Sequence, residues 1–427
     1  MSKLLIIGLF FWLVSTLSQA QTRSTYTMPA EWEPQDAVWM GLRTEETQKR
    51  HDTTTIEMVR ALSPFVRVNL ILEKDTLFRE GKGWFTQFGI DTSRITIIKQ
   101  DPTDYWYRDP GPVFVRNADG QLAVVDFRYS NYGAHPDSLS ERARQHDGID
   151  LDVARRLKLP VITSSVFMEG GAIEVNGKGT LLQVESVTLQ HNPHLSKEAI
   201  EQDLKRVLGV KKVIWLKRGP ADDDHRALLG DSVLYSVRGT GGHVDEFCRF
   251  ANASTILLGW IDEDEVGTDL IKRLTRDRMV ENLKILQQAT DQDGKPFTIV
   301  KVPFPQIDYT KRVVTESNPF YKNVKLARPN VKSGTILYLV PTSSYLNYVI
   351  TNGVVLLPAY WKPGMPDAGK KRDTQVLALF KKHFPDRKLV QINPLKYNYS
   401  SGGMHCVTQQ QPAGKPPVQP ATVSAKN

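Results

Sequence analysis

The most reactive side chain in the sequence lies late, in Ser401-Gly402-Gly403-Met404-His405-Cys406-Val407-Thr408-Gln409-Gln410, where Cys406 is one of only two cysteines. A cysteine thiolate is the strongest side-chain nucleophile, and paired glycines admit backbone geometry and close approach that other residues refuse. A buried, inert thiol is the competing reading of this stretch. A second stretch, Gly241-Gly242-His243-Val244-Asp245-Glu246-Phe247, sets an imidazole and a carboxylate two residues apart. In extended chain both would project to one face and could hold one ligand. A third, Asp104-Tyr105-Trp106-Tyr107-Arg108-Asp109-Pro110-Gly111-Pro112, gathers aromatics, acids and an arginine in a turn-rich segment. Aromatic faces beside carboxylates suit a flat cation, although Arg108 and Asp109 could equally brace a proline turn. Met168-Glu169-Gly170-Gly171 repeats the pairing of an acid with two glycines.

The elements that must position these groups recur along the chain. Apolar spacing predicts helices over Thr54–Leu62, Leu151–Leu157, Lys197–Leu208, Val266–Gln288 and Thr374–Phe384. Each is followed by a β-rich run: Val66–Leu72, Val161–Val166, Lys212–Leu216, Phe297–Val302 and Lys388–Ile392. Hairpin patterns then turn at Asn117–Gly120, Asn176–Gly179, Ala251–Ser254 and Asn352-Gly353, and the fifth unit reads as truncated, ending at Cys406. Such a recurrence predicts a pseudo-symmetric α/β ring, with an open α/β sandwich as the alternative. In a ring, Asp109, Glu169, His243 with Asp245, Asn347 and Cys406 occupy equivalent positions at the start of each hairpin and converge on one axial mouth.

Composition narrows the function classes. The chain is 40% hydrophobic and 24% charged, with a formal net charge of +8 that is spread along it. No basic block with interleaved aromatics appears, which argues against a nucleic-acid partner. Lys3, an apolar run from Leu4 to Val14, and Ser18 with Ala20 at cleavage-compatible positions make residues 1–20 a signal peptide. The protein is therefore expected to be secreted or periplasmic, with no membrane attachment after cleavage. Residues 21–27 read as a flexible lead-in, 28–411 as a single domain and 412–427 as a disordered Pro-rich tail. An exported chain could join Cys248 to Cys406 in a disulfide, but not while Cys406 serves as a nucleophile. His191-Asn192-Pro193-His194 has two histidines but no evident third metal ligand. Asp222-Asp223-Asp224-His225 lacks the EF-hand pattern and reads as a solvated loop in preference to a calcium site. No Walker loop, dinucleotide fingerprint or serine elbow is present.

Met28-Pro29-Ala30-Glu31-Trp32-Glu33-Pro34, Trp106–Pro112, Glu169-Gly170-Gly171, Gly242-His243-Val244-Asp245 and His405–Pro412 together resemble the agmatine deiminase family, which includes the Porphyromonas-type peptidylarginine deiminases. The resemblance covers nearly the whole chain after residue 27, in the family's order. It implies the pentein-type fold, a five-bladed α/β propeller. It also implies Cys406 as nucleophile, His243 as general acid/base, Asp109 and Asp245 as guanidinium ligands, and Glu169 orienting His243. Trp106 matches a channel aromatic of the peptidylarginine branch and Asn347 an active-site asparagine. No cofactor or metal is implied.

The expected activity is hydrolysis of a small guanidine, agmatine first, through a thiouronium on the cysteine, with arginyl peptides as the alternative substrate. The peptidylarginine branch carries an arginine pair after the equivalent of Val125-Asp126-Phe127. Here Arg128-Tyr129-Ser130-Asn131-Tyr132-Gly133 offers a single arginine. Pro220–Gly239 reads as an inserted loop near the mouth. A guanidine-binding protein without chemistry and a metal hydrolase built on His243, Asp245 and Asp109 are the readings from other classes, and a homodimer is compatible with the sequence.

Overall fold

Local sequence explains the elements that frame the site. In the helix Thr53–Leu62, the side chains of Thr55, Met58, Val59 and Leu62 are buried, the i, i+3, i+4, i+7 stripe of a helix lying on a core. In Lys197–Leu208, Ser196 caps the N-terminus by accepting from the Ala199 N–H, while Ile200, Leu204, Val207 and Leu208 face inward. That helix stops at Gly209, whose φ of +64° is left-handed and whose added Cβ would lie 2.1 Å from the Tyr26 carbonyl oxygen. The computed structural model describes residues 26–42, 53–72, 83, 85–134, 140–224, 228–229, 233–236, 239–307, 309–317 and 332–416. The expected signal peptide lies outside the described residues. Among those residues, no helix is long and apolar enough to cross a membrane.

Five sheets share one plan, an antiparallel pair followed across a helix by a strand parallel to the second. The first unit joins Val113–Arg116, Leu122–Arg128 and Val161–Phe167, and the second Glu174–Val175, Thr180–Val184 and Lys212–Leu216. The third joins Cys248–Asn252, Thr255–Trp260 and Thr298–Pro303, and the fourth Val349–Thr351, Val354–Pro358 and Lys388–Ile392. The fifth is complete, where the sequence suggested truncation. Its hairpin partner comes from the other end of the chain, as Thr408–Pro412 pairs antiparallel with Gln35–Gly41, which runs parallel to Arg67–Leu72. Hairpin logic reads neighbours in sequence and could not see a pair separated by nearly the whole chain.

Five apolar clusters each tie one unit to the next. Val125 and Val166 meet Val175 and Leu181; Leu182 and Leu216 meet Phe250 and Leu258; Leu257 and Val302 meet Val355 and Phe380. Leu356 and Ile392 meet Val38 and Met58, and Trp39 with Ile71 meets Phe114 and Val124. Each buried aliphatic or aromatic side chain contributes roughly 2 kcal/mol through removal from water.

Several expectations change. Pro220–Gly239 is not a plain loop: Leu228–Leu229 and Val233–Ser236 pair with each other, and the latter joins Ile336–Leu339 and Thr310–Val313 in a sixth sheet. The lead-in is anchored at its end, where Thr27 and Arg116 exchange both backbone hydrogen bonds. The tail begins ordered: Pro412 ends a strand, and the Lys415 carbonyl accepts from the Leu122 N–H. The helix expected from Val266 begins at Leu270, capped by Asp269, and the one expected from Thr374 begins at Asp367.

Candidate active site

Each unit delivers its polar residue from the segment just ahead of its first strand, as the recurrence anticipated. Asp109 precedes Val113–Arg116, Glu169 precedes Glu174–Val175, and His243 with Asp245 precedes Cys248–Asn252. Asn347 precedes Val349–Thr351, and Cys406 precedes Thr408–Pro412. All six are buried. His243 Nδ1 lies 3.7 Å from Asp109 Oδ1, and its Nε2 lies 3.7 Å from Glu169 Oε2. The Cys406 Sγ receives the Asn347 side-chain N–H at 3.2 Å and the Gly403 N–H at 3.4 Å, and stands 3.6 Å from Glu246 Oε1 and 3.9 Å from Asp245 Oδ2. Cys248 and Cys406 are both free thiols.

Gly171 marks the common point of the cradle. A Cβ there would lie 2.7 Å from His243 Nδ1, 2.9 Å from Asp109 Oδ1 and 3.2 Å from Asp245 Oδ2, so only glycine lets these three side chains pack this close to the chain. His243 and Asp245 converge for a reason other than the extended pleat expected: Val244–Glu246 is a 3-10 turn, entered through Gly241 and Gly242 at φ of +92° and +107°. The glycines before Cys406 also act differently from expectation. Ser401, not a glycine, holds the positive φ there, whereas an added Cβ on Gly403 would strike Asn347 Oδ1 and one on Gly402 the Trp106 ring. Trp106 therefore sits outside the cluster, half-buried against Gly402.

Residues the sequence reading left unassigned hold the cradle from behind. His405 bridges Asp245 Oδ2 at 2.7 Å and Glu31 Oε1 at 2.8 Å. Glu31 in turn meets Arg108 and Arg249, and Arg249 also binds Glu174, so both arginines are spent on carboxylates. His191 Nδ1 lies 2.9 Å from Glu169 Oε2. Tyr132 donates to Asp109 Oδ2 at 2.8 Å, while Asp109 Oδ1 accepts from the Gly171 N–H at 3.1 Å. Asp223 belongs to no solvated loop: fully buried, it accepts from the Thr240 N–H and hydroxyl and from the Gly242 and His243 N–H groups. The only signals for these were adjacency, His405 beside Cys406 and His191 in a stretch set aside as a metal motif.

Electrostatics follow from this packing. Burial works against a charged His243, but Asp109, Glu169 and Asp245 outweigh it and raise its pKa to about 9. Burial, aided by the carboxylates of Asp245, Glu246 and Asp109, pushes the Cys406 thiol well up. Burial also raises Asp109 to about 7 and lifts Glu246 far above the carboxylate range. Burial would raise Asp245 too, yet its hydrogen bond from His405 leaves it below the ordinary value. The substrate-free cradle thus pairs an imidazolium with a neutral thiol. Asp245, Glu246 and Cys406 also bring possible metal-ligand atoms within 4.8 Å of one another, a different set from the His243, Asp245 and Asp109 considered from sequence.

A family model described as Porphyromonas-type peptidyl-arginine deiminase matches residues 27–412. The chain belongs to that family. Within and around this deiminase family, an agmatine deiminase of Medicago truncatula is similar at 30% identity over 421 residues, covering 93% of this chain and 99% of its own. An agmatine deiminase of Pseudomonas aeruginosa (strain LESB58) is 26% identical, covering 91% and 96%. Among solved structures, the agmatine deiminase of Enterococcus faecalis matches with a TM-score of 0.70 at 26% identity, covering 91% of this chain and 96% of that one. The α/β fold of these deiminases is of the pentein type.

Proposed function

We propose that the protein is a guanidine deiminase that hydrolyses agmatine to N-carbamoylputrescine and ammonia through a covalent intermediate on Cys406. A hydrolase acting on guanidino groups follows from the family and its relatives; the agmatine assignment is the finer step. The observation that carries it is the convergence of His243, Asp109 and Asp245 on Gly171, with Cys406 Sγ 3.9 Å from Asp245 Oδ2. A guanidinium is planar, cationic and a poor electrophile, so carboxylates at its N–H edges must both hold and aim its central carbon. Asp245 Oδ1 has no hydrogen-bond partner among the described residues, which leaves it available for one such edge.

The same charge explains how the thiol is activated. The carboxylates that raise the Cys406 pKa are neutralised when a cation enters, and the thiolate becomes accessible. Thiolate attack on the guanidinium carbon forms a C–S bond. The His243 imidazolium protonates one amino nitrogen, the C–N bond breaks, ammonia departs and a thiouronium cation remains. Neutral His243 takes a proton from water, hydroxide adds to the same carbon, and collapse breaks the C–S bond. The ureido product and the thiolate leave, and the released hydroxyl proton is taken up by ammonia.

Arg128 favours agmatine over a C-terminal arginine, because its guanidinium lies over the Phe167 ring at 4.4 Å rather than standing as a carboxylate clamp. The half-buried Trp106 ring beside Gly402 favours arginyl peptides as the second reading, since an aromatic face partly open to water suits a longer chain. Purified protein given agmatine, arginine and arginyl peptides separately, with ammonia and ureido product measured, tests both. No turnover of any guanidine overturns the enzyme reading, and turnover of peptides alone overturns agmatine. Chelator-insensitive turnover that thiol reagents abolish excludes the metal hydrolase. We further infer that the five units stand as blades around one axis, supported by the five clusters joining successive units. Export is proposed on the leader-like composition of residues 1–20, and N-terminal sequencing of the mature protein from an exporting host tests it.

A further inference from the structure

Glu169 Oε2 is shared by two imidazoles. His191 Nδ1 approaches it to 2.9 Å and His243 Nε2 to 3.7 Å, and all three side chains are removed from water. The other Glu169 oxygen, Oε1, is 3.4 Å from the Ser130 hydroxyl. His191 is the last residue of the helix Glu185–His191. The ring is held in place by Gly133: a Cβ at that glycine would lie 2.5 Å from His191 Cδ2 and 3.0 Å from its Nε2. Among the described residues, Nε2 has no hydrogen-bond partner, and the ring meets Glu169 Oε2 as an ion pair at 2.9 Å rather than through a well-aligned hydrogen bond. A buried carboxylate stays ionised only against a partner that offsets its lost hydration.

We propose that His191 is a positioning residue for the deimination, holding Glu169 as an anion and aiming its Oε2 at His243 Nε2. This rests on the deiminase reading above and adds to it a residue placed behind the general acid. Glu169 in turn supports the charged form of His243, which must carry a proton until the leaving nitrogen needs it. Around His243 the groups that bear on its charge are Asp109, Glu169 and Asp245, with the Tyr132 ring at 6.0 Å and Asp223 under its backbone N–H. Facing His191 is Glu169, with the Ser130–Gly133 turn packed on the ring. The carboxylate's surroundings fit this arrangement: burial would raise Glu169, yet His191 first and His243 second hold it well below the ordinary value.

The test compares the intact chain with His191→Leu, which removes the donor, and His191→Asn, whose side-chain N–H can replace Nδ1 as a neutral donor. Turnover is measured as a function of pH, and the His243 ring is followed by nitrogen NMR titration in the same proteins. Expected for His191→Leu is a kcat lowered roughly ten- to hundred-fold with little change in KM, as a weakened general acid produces. The pH at which His243 loses its proton should fall by about one unit, because a neutral Glu169 no longer supports the imidazolium. His191→Asn should recover most of the rate. Unchanged rate and unchanged His243 titration in a folded His191→Leu protein overturn the proposal, as does a lower rate with the titration unmoved. If the intact protein turns over no guanidine while the His243 titration still shifts, the deiminase reading fails and the His191–Glu169–His243 coupling stands.

Discussion

Asp109 and Asp245 face the same imidazole from different units, and they are held in opposite ways. Asp245 is backed by His405, itself tied to Glu31 and through it to Arg108 and Arg249, so a chain of hydrogen bonds and ion pairs keeps it anionic. Asp109 is backed by a phenol and a backbone N–H, neither of them charged, and burial lifts it to about 7. The difference teaches that ionisation in this cradle is decided by what stands behind each carboxylate rather than by depth, since both are buried. Asp245 supplies a permanent charge for a cation to find. Asp109 becomes fully charged only when the cation arrives to stabilise it.

The sharpest break in the comparison comes from the atom both carboxylates serve: Cys406→Ala should abolish turnover in a protein that still binds guanidine, checked by calorimetry. Next, Asp245→Asn and Asp109→Asn should each lower kcat/KM by roughly a thousandfold, since each removes a charge-assisted hydrogen bond to the substrate and transition state. Their stabilities should diverge. Asp245→Asn takes one of the two carboxylates from His405 and should cost about 3 kcal/mol in denaturant unfolding. Asp109→Asn should cost little and stabilise at alkaline pH. The signs follow from linkage. Asp245, held below its ordinary value, adds stability that is lost as pH falls through its folded pKa. Asp109, raised to about 7, favours the folded state below about pH 4 and loses that contribution as pH rises through 7. Equal stability shifts in the two variants would erase the distinction.

A smaller effect concerns rate alone. The acid limb of kcat/KM should turn near pH 7 and report Asp109, moving with Tyr132→Phe but not with changes behind Asp245. Because the Tyr132 hydroxyl lowers the Asp109 pKa, Tyr132→Phe should shift that limb upward by about half a unit and reduce the rate at neutral pH roughly twofold. A limb that stays in place assigns the titration to another group.

The groups proposed to meet substrate were legible because their chemistry is unusual for their surroundings: a rare cysteine, a histidine after paired glycines, acids at the mouths of hairpins. Their common address was legible from the repeat of helix, strand and hairpin. The residues behind them were not, because a histidine that steadies a carboxylate in another element has no local pattern. His405 and His191 look like any histidine in the string, and Asp223 looks like part of a solvated acidic run until the fold buries it beneath the His243 turn. Spacing also misled where the chain is not extended: His243 and Asp245 meet through a 3-10 turn, and the glycines before Cys406 are demanded by neighbours rather than by torsion.

The pairing of Gln35–Gly41 with Thr408–Pro412 gives the enzyme a built-in safeguard during synthesis. The nucleophile and the strand that locks the fifth unit leave the ribosome together, after the four other units have been made. A chain released early has an open seam between its first and last parts and no thiol at the site, so under the proposed mechanism a partial product cannot consume guanidines. Contacts so distant in sequence form slowly, and the thiol gains its buried surroundings only as that seam closes. Activity should therefore appear as the last event of refolding, in step with the protection of Cys406 from alkylation.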